Sequence, residues 1–170
     1  MTAALAMPEP RLAPPRATPI AASDRVYLHP GQLAVLGRKG ALTTILGSCV
    51  GVCLHDPSAR VGGLNHYLLP IAPATQPSTR FGDIAVRQLV EEVERLGGDR
   101  MRLVATIIGG ACVLEAFRGR ARDLGRANVD VARATLDHLG ITVIAEHVEG
   151  LRGRRVVFDP FSGDVIVREL

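Results

Sequence analysis

Beyond residue 24 the apolar positions fall into short runs set apart by turn-forming residues. Gln32 to Leu36, Leu42 to Leu46, Val50 to His55 and Val61 to Leu69 are separated by glycine, Asp-Pro or Gly-Ser punctuation, which predicts consecutive strands. The period then changes. From Asp83 to Leu96, Ile84, Val86, Leu89, Val90, Val93 and Leu96 recur every three to four residues, with Glu91, Glu92, Glu94 and Arg95 between them and Gly97-Gly98 behind. This spacing predicts an amphipathic helix. Leu103 to Ile108 reads as a buried strand closing on Gly109-Gly110, and Asn128 is placed to cap a second helix running to Leu139 before Gly140. Strands over Ile141 to Val148, Arg155 to Phe158 and Asp164 to Arg168 complete the pattern, and no internal repeat interrupts it. The economical architecture is one α+β domain over residues 25–170, with mostly antiparallel strands and two main helices.

Composition narrows the class further. A chain of 170 residues with 47% apolar and 22% charged residues has room for one core and enough apolar surface to build it. Residues 1–24 carry Pro8, Pro10, Pro14, Pro15 and Pro19 among alanines, which predicts a flexible tail, because prolines withhold backbone donors and oppose helix formation. No apolar run approaches the roughly eighteen residues of a membrane-spanning helix, and no secretory signal is apparent, so a cytoplasmic protein is expected. Three cysteines without framework spacing are then expected as free thiols. The net charge is +3, but Lys39 is the single lysine among twenty basic residues. The densest basic stretch, Arg118 to Arg126, includes Asp123 and lacks stacking aromatics, so no nucleic-acid partner is expected.

The chemistry concentrates in Thr43-Thr44-Ile45-Leu46-Gly47-Ser48-Cys49-Val50-Gly51 and Gly62-Gly63-Leu64-Asn65-His66-Tyr67-Leu68-Leu69-Pro70. Cys49 follows a Gly47-Ser48 turn, whose backbone N–H groups can point at a substrate oxygen, and it opens a strand in which Cys49, Gly51, Cys53 and His55 share a face. A hairpin loop over Asp56 to Ala59, pairing His55 with Arg60, would set Cys49 directly opposite His66, with Cβ atoms about 5 Å apart. A slip of one residue would turn His66 to the other face. A free thiol is only a few per cent thiolate at neutral pH, so amide attack by Cys49 needs a neighbouring base or cation. His66 is the candidate. It would then protonate departing ammonia and leave a thioester for water to hydrolyse.

Leu46-Gly47-Ser48-Cys49-Val50, Gly62-Gly63 and His66-Tyr67-Leu68-Leu69-Pro70 together resemble the signature of the chemoreceptor glutamine deamidases, the CheD family. Thr79-Arg80-Phe81-Gly82-Asp83-Ile84-Ala85, Gly109-Gly110, Gly125, Asn128 and Arg154-Arg155-Val156-Val157-Phe158 extend the likeness from about Tyr27 to Leu170. The resemblance implies an α/β/β layered sandwich akin to deamidating toxin domains. It implies a protein-glutamine deamidase acting on the cytoplasmic helices of chemoreceptors, without metal or cofactor. By the same match Cys49 is the nucleophile, His66 the base, and Thr43 the third polar group beside the histidine. A CheC-type chemotaxis phosphatase is an implied partner. Thr106, Cys112, Val113, Ala127 and Glu149 depart from the family pattern, none of them within the Cys49 and His66 motifs.

Three rival readings make different demands. Gly47-Ser48-Cys49-Val50-Gly51 fits a Gly-x-nucleophile-x-Gly elbow, which needs a helix next. A metal-binding module would gather Cys49, Cys53, His55 and His66, at a spacing unlike the usual zinc signatures. A non-catalytic chemotaxis adaptor would not need the thiol and imidazole. Cys53 and Cys112 are expected as core thiols, and the Gly62-Gly63 pair as a point of close backbone approach.

Overall fold

The structure is a computed structural model that describes residues 25–113 and 118–170, with side chains from residue 124 onward in the second stretch. The proline-rich segment at 1–24 and the side chains of the basic stretch as far as Asp123 lie outside the described residues. The strands are β1 (Arg25–Tyr27), β2 (Leu33–Leu36), β3 (Ala41–Leu46), β4 (Val50–Asp56), β5 (Val61–Asn65), β6 (Val104–Gly109), β7 (Thr142–Val148), β8 (Arg154–Phe158) and β9 (Val165–Glu169). Among the described residues two α-helices, α1 (Gly82–Arg95) and α2 (Arg118–His138), and a short 3-10 turn at Arg100–Arg102 interrupt them.

Strand β4 organises the molecule because it is buried along its whole length. Alternation sends Val50, Val52 and Leu54 to one side, where they pack with Ala85, Val86, Leu89, Val90 and Val93 of α1 and Val129, Ala132 and Leu136 of α2. Cys53 points the other way, into a second cluster with Leu42 and Leu46 of β3, Leu64 of β5, Ile108 of β6, and Val156 and Phe158 of β8. Each fully buried Leu, Ile or Val in these clusters contributes about 1.5–3 kcal/mol. The result is an α+β sandwich of three layers. Helices cover one face of a five-stranded sheet, β2-β5-β4-β6-β7, and a four-stranded sheet, β1-β3-β8-β9, covers the other. Among the described strands the β1–β3 and β6–β7 pairs are parallel and the other pairs antiparallel. No helix among the described residues is long and apolar enough to cross a membrane.

Three expectations need correction. The hairpin joining β4 to β5 pairs Asp56 with Val61 and His55 with Gly62, so its loop is residues 57–60. The cause is Asp56, which is buried at the strand end. Its carboxylate accepts from Ser58 N and Ala59 N, its carbonyl accepts from Arg60 N, and Arg60 takes a positive φ of 54° to close the loop. Strand β5 ends at Asn65 and does not reach Leu69, because the Asn65 side chain takes the Val52 N–H and His66 turns its own backbone to Gln32 and Gly31. Pairing with β4 resumes only at a Val50–Tyr67 bridge. Asn128 does not cap a helix; it is an interior residue of α2, which begins at Arg118.

Candidate active site

Cys49 closes the turn between β3 and β4, and three consecutive carbonyls of that turn are tied down. Gly47 O accepts from Ala111 N at 2.8 Å, Ser48 O from Asn128 Nδ2 at 3.0 Å, and Cys49 O from Gly110 N at 2.9 Å. In a planar trans peptide the N–H points opposite its carbonyl, so these anchors turn the Ser48 and Cys49 N–H groups away from the residues that hold the turn. Such amides can receive a developing oxyanion. The strand-to-loop passage at Gly109 makes the close approach possible: its φ is +112°, and a Cβ there would lie 2.2 Å from Cys49 O.

Cys49 and His66 face the same side of the five-stranded sheet, toward β3. The observed register places Gly51 opposite His66 and Leu68 opposite Cys49, since Val50 pairs with Tyr67 and Cys53 with Leu64. Cys49 and His66 are therefore diagonal neighbours, about 7–8 Å apart at Cα, and not directly opposed as the sequence suggested. The two-residue difference between the expected and observed registers preserves the shared face. Glycine at 51 leaves no side chain between them; a Cβ there would meet Asn65 O at 2.9 Å and Leu46 at 3.2 Å.

His66 is nearly enclosed, and its third partner is Thr44. Thr44 Oγ1 lies 2.8 Å from His66 Nδ1 and 2.8 Å from Leu28 O. The carbonyl can only accept, so the threonine proton goes to Leu28 and the hydroxyl oxygen accepts from Nδ1–H. This assigns the tautomer. Nε2 carries the lone pair, and it is a buried nitrogen without a partner among the described residues. Thr43 points away from the site, its hydroxyl donating to Val156 O at 2.7 Å across the β3–β8 pair. The assignment of Thr43 as the group beside the histidine is thus corrected to Thr44. The signal was present in the sequence. Leu42, Thr44 and Leu46 share one parity in β3, and two leucines mark that face as the one turned to the core.

Electrostatics favour a neutral pair at rest. Burial pushes the Cys49 thiol up, and its own backbone N–H offsets part of that rise. Burial also lowers the His66 imidazole below its ordinary value, opposed by the Leu28 carbonyl and reinforced by His29. Both shifts act against a preformed thiolate–imidazolium pair. The arrangement suits a histidine that takes the thiol proton as the nucleophile attacks.

The other sequence candidates separate from this centre. Cys53 and Cys112 are buried, and none of the three cysteines is in a disulfide. Burial pushes the Cys53 thiol far above the range in which it ionises. His55 lies two strand positions beyond Cys53, with Nδ1 on Pro160 O at 3.0 Å. Among the described residues no three His, Cys, Asp or Glu side chains form a group able to hold a metal. The elbow reading fails because Cys49 leads into strand β4 and not into a helix. At Gly63 a Cβ would meet Val35 at 2.6 Å and Leu89 at 2.7 Å, which accounts for that glycine by packing between β2 and α1.

Comparison with known proteins places this chain in a family. Residues 68–169 match the family model described as CheD chemotactic sensory transduction. A protein of Anaeromyxobacter dehalogenans named "Probable chemoreceptor glutamine deamidase CheD 1" is 50% identical over 93% of this chain and 96% of its own length. A protein of the same name from Burkholderia thailandensis is 37% identical over 85% of this chain and 63% of its own length. One from Sulfurimonas denitrificans, named "Probable chemoreceptor glutamine deamidase CheD", is 34% identical over 85% of this chain and 94% of its own length. With the family model matched over more than half its length, the chain belongs to the CheD family.

Proposed function

We propose that this protein deamidates glutamine side chains on the cytoplasmic helices of chemoreceptors, through a covalent Cys49 intermediate. The observation that carries the chemistry is the contact of Thr44 Oγ1 with both Leu28 O and His66 Nδ1. Thr44 holds Nδ1 as a donor, which leaves Nε2 a base on the face that Cys49 shares. The relatives' names supply the substrate class.

In this reading His66 Nε2 removes the thiol proton as Sγ bonds to the glutamine Cδ. The carbonyl oxygen becomes an oxyanion against the N–H groups of the Gly47–Cys49 turn, with Ser48 and Cys49 as donors. His66 returns the proton to the amide nitrogen, the C–N bond breaks, and ammonia leaves a thioester. His66 then deprotonates water, which attacks the thioester carbon, and the Cδ–Sγ bond breaks to give glutamate and the free thiol. Thr43 takes no part; Thr44 keeps the imidazole aligned. The reaction uses only residues of the chain and water, and it belongs in the cytoplasm with the receptor helices. The family resemblance adds a CheC-type phosphatase as a second partner.

The test is incubation with a chemoreceptor cytoplasmic fragment, followed by peptide mass mapping. Glutamine-to-glutamate conversion at discrete positions is expected. Receptor fragments left unchanged across several receptors would overturn the reading.

A further inference from the structure

We infer that Asn128 is a positioning residue for the Cys49 nucleophile, holding the Ser48–Cys49 peptide plane from behind the sheet. This deepens the deamidase reading and rests on it for the rate, but not for the thiol. Asn128 is fully buried in α2, on the helix side, opposite the face that carries Cys49 and His66. Its Nδ2 donates to Ser48 O at 3.0 Å and to Leu68 O at 2.9 Å, which occupies both amide protons.

Those two acceptors matter because of where they lie. Leu68 is the residue opposite Cys49 in the register, so one carboxamide joins both chain segments just beyond the Val50–Tyr67 bridge. Of the three tied carbonyls in the nucleophile turn, Gly47 and Cys49 are held by main-chain N–H groups, and Ser48 by this side chain. The Ser48 carbonyl and the Cys49 N–H belong to one planar unit. Pulling the carbonyl toward α2 turns the N–H to the reaction side, where it favours the thiolate of Cys49.

The main chain of α2 is also held at this point, independently of the carboxamide. Tyr67 OH donates to the Asn128 carbonyl, and Gly125, one helical turn earlier, lies against Gly110, where a Cβ would approach Gly110 O to 2.4 Å. Asn128 Oδ1 remains buried without a partner among the described residues, a cost that the fold tolerates at this position.

The experiment compares wild type with Asn128→Leu, which keeps the shape and removes both donors, and with Tyr67→Phe, which loosens α2 without touching the carboxamide. The pH midpoint of Cys49 alkylation and the melting temperature are read on each, together with kcat and KM on a receptor fragment. Asn128→Leu is expected to raise the alkylation midpoint and to lower kcat roughly tenfold or more, with KM little changed. Tyr67→Phe is expected to lower the melting temperature and leave the midpoint at the wild-type value. An unchanged midpoint and kcat in folded Asn128→Leu would overturn the inference, as would equal shifts in both variants. Asn128→Ala carries the same readings should the leucine variant fail to fold. Alkylation needs no receptor, so absence of deamidation by wild type would overturn the proposed reaction and leave this inference to be decided on the thiol alone.

Discussion

Thr44 Oγ1 stands 2.8 Å from His66 Nδ1 while its proton is committed to the Leu28 carbonyl, an arrangement that leaves Nε2 as the imidazole nitrogen with the free lone pair. Replacing Thr44 by valine keeps the shape and removes the acceptor, so His66 loses its orientation. Deamidation should fall on the order of 10- to 100-fold. Thr43→Val should leave kcat near wild type and cost about 1 kcal/mol of stability, through the lost bond to Val156 O. Parallel kinetics and thermal melts on the two variants check both expectations. Equal loss of activity in both would contradict the assignment of Thr44.

The pH profile should have a wide plateau. His66 must be neutral to accept the thiol proton, and burial lowers its pKa, so the acid limb of kcat/KM should have its midpoint below the ordinary imidazole value of about 6.5. Cys49 is shifted upward, so alkylation in the absence of substrate should rise with a midpoint above the ordinary thiol value of about 8.5. A rate profile and an alkylation profile measured on the same protein would reveal a preformed ion pair as an alkylation midpoint well below neutrality.

Gly109→Ala should damage both stability and activity. The backbone there has φ +112°, and the added Cβ would lie 2.2 Å from Cys49 O, so β6 and the nucleophile turn must separate. A loss of about 2 kcal/mol or more is expected. Denaturant unfolding and the deamidation rate measure the two effects.

Asp56 sets a pH-dependent part of the stability far from the reaction. Burial opposes its ionisation, but Arg102 and the backbone N–H groups of Ala59, Asp99 and Ser58 prevail and hold the carboxyl well below the usual range. A depressed folded-state pKa stabilises the protein above the unfolded value of about 4, and that stability is lost as the pH falls through the folded value. Asp56→Asn should therefore lower stability at pH 7 by about 3 kcal/mol and flatten its decline in acid. Melts from neutral to acid pH on both proteins check this.

The periodic elements were legible because burial acts on every residue of them. Val86, Leu89, Val90 and Val93 of α1 lie in the core beneath it, whereas Ile84 is half-buried and Leu96 is exposed, and the alternating sides of β4 meet helices and the second sheet as a period of two requires. The hairpin register was not legible, since it depends on the Asp56 carboxylate gathering N–H groups from residues as distant as Asp99. The same holds for Asn128. Its cap-like chemistry suggested a helix start, whereas its amide protons serve carbonyls 60 and 80 residues earlier in the chain. The choice between Thr43 and Thr44 was legible, since Thr44 shares the parity of the core residues Leu42 and Leu46.

Ammonia release from a receptor fragment, measured for wild type, Cys49→Ala and His66→Ala under the same conditions, tests the central claim most directly. The account predicts release by wild type, none above background with Cys49→Ala, and a loss of at least about 100-fold with His66→Ala. Release by Cys49→Ala at the wild-type rate would contradict it.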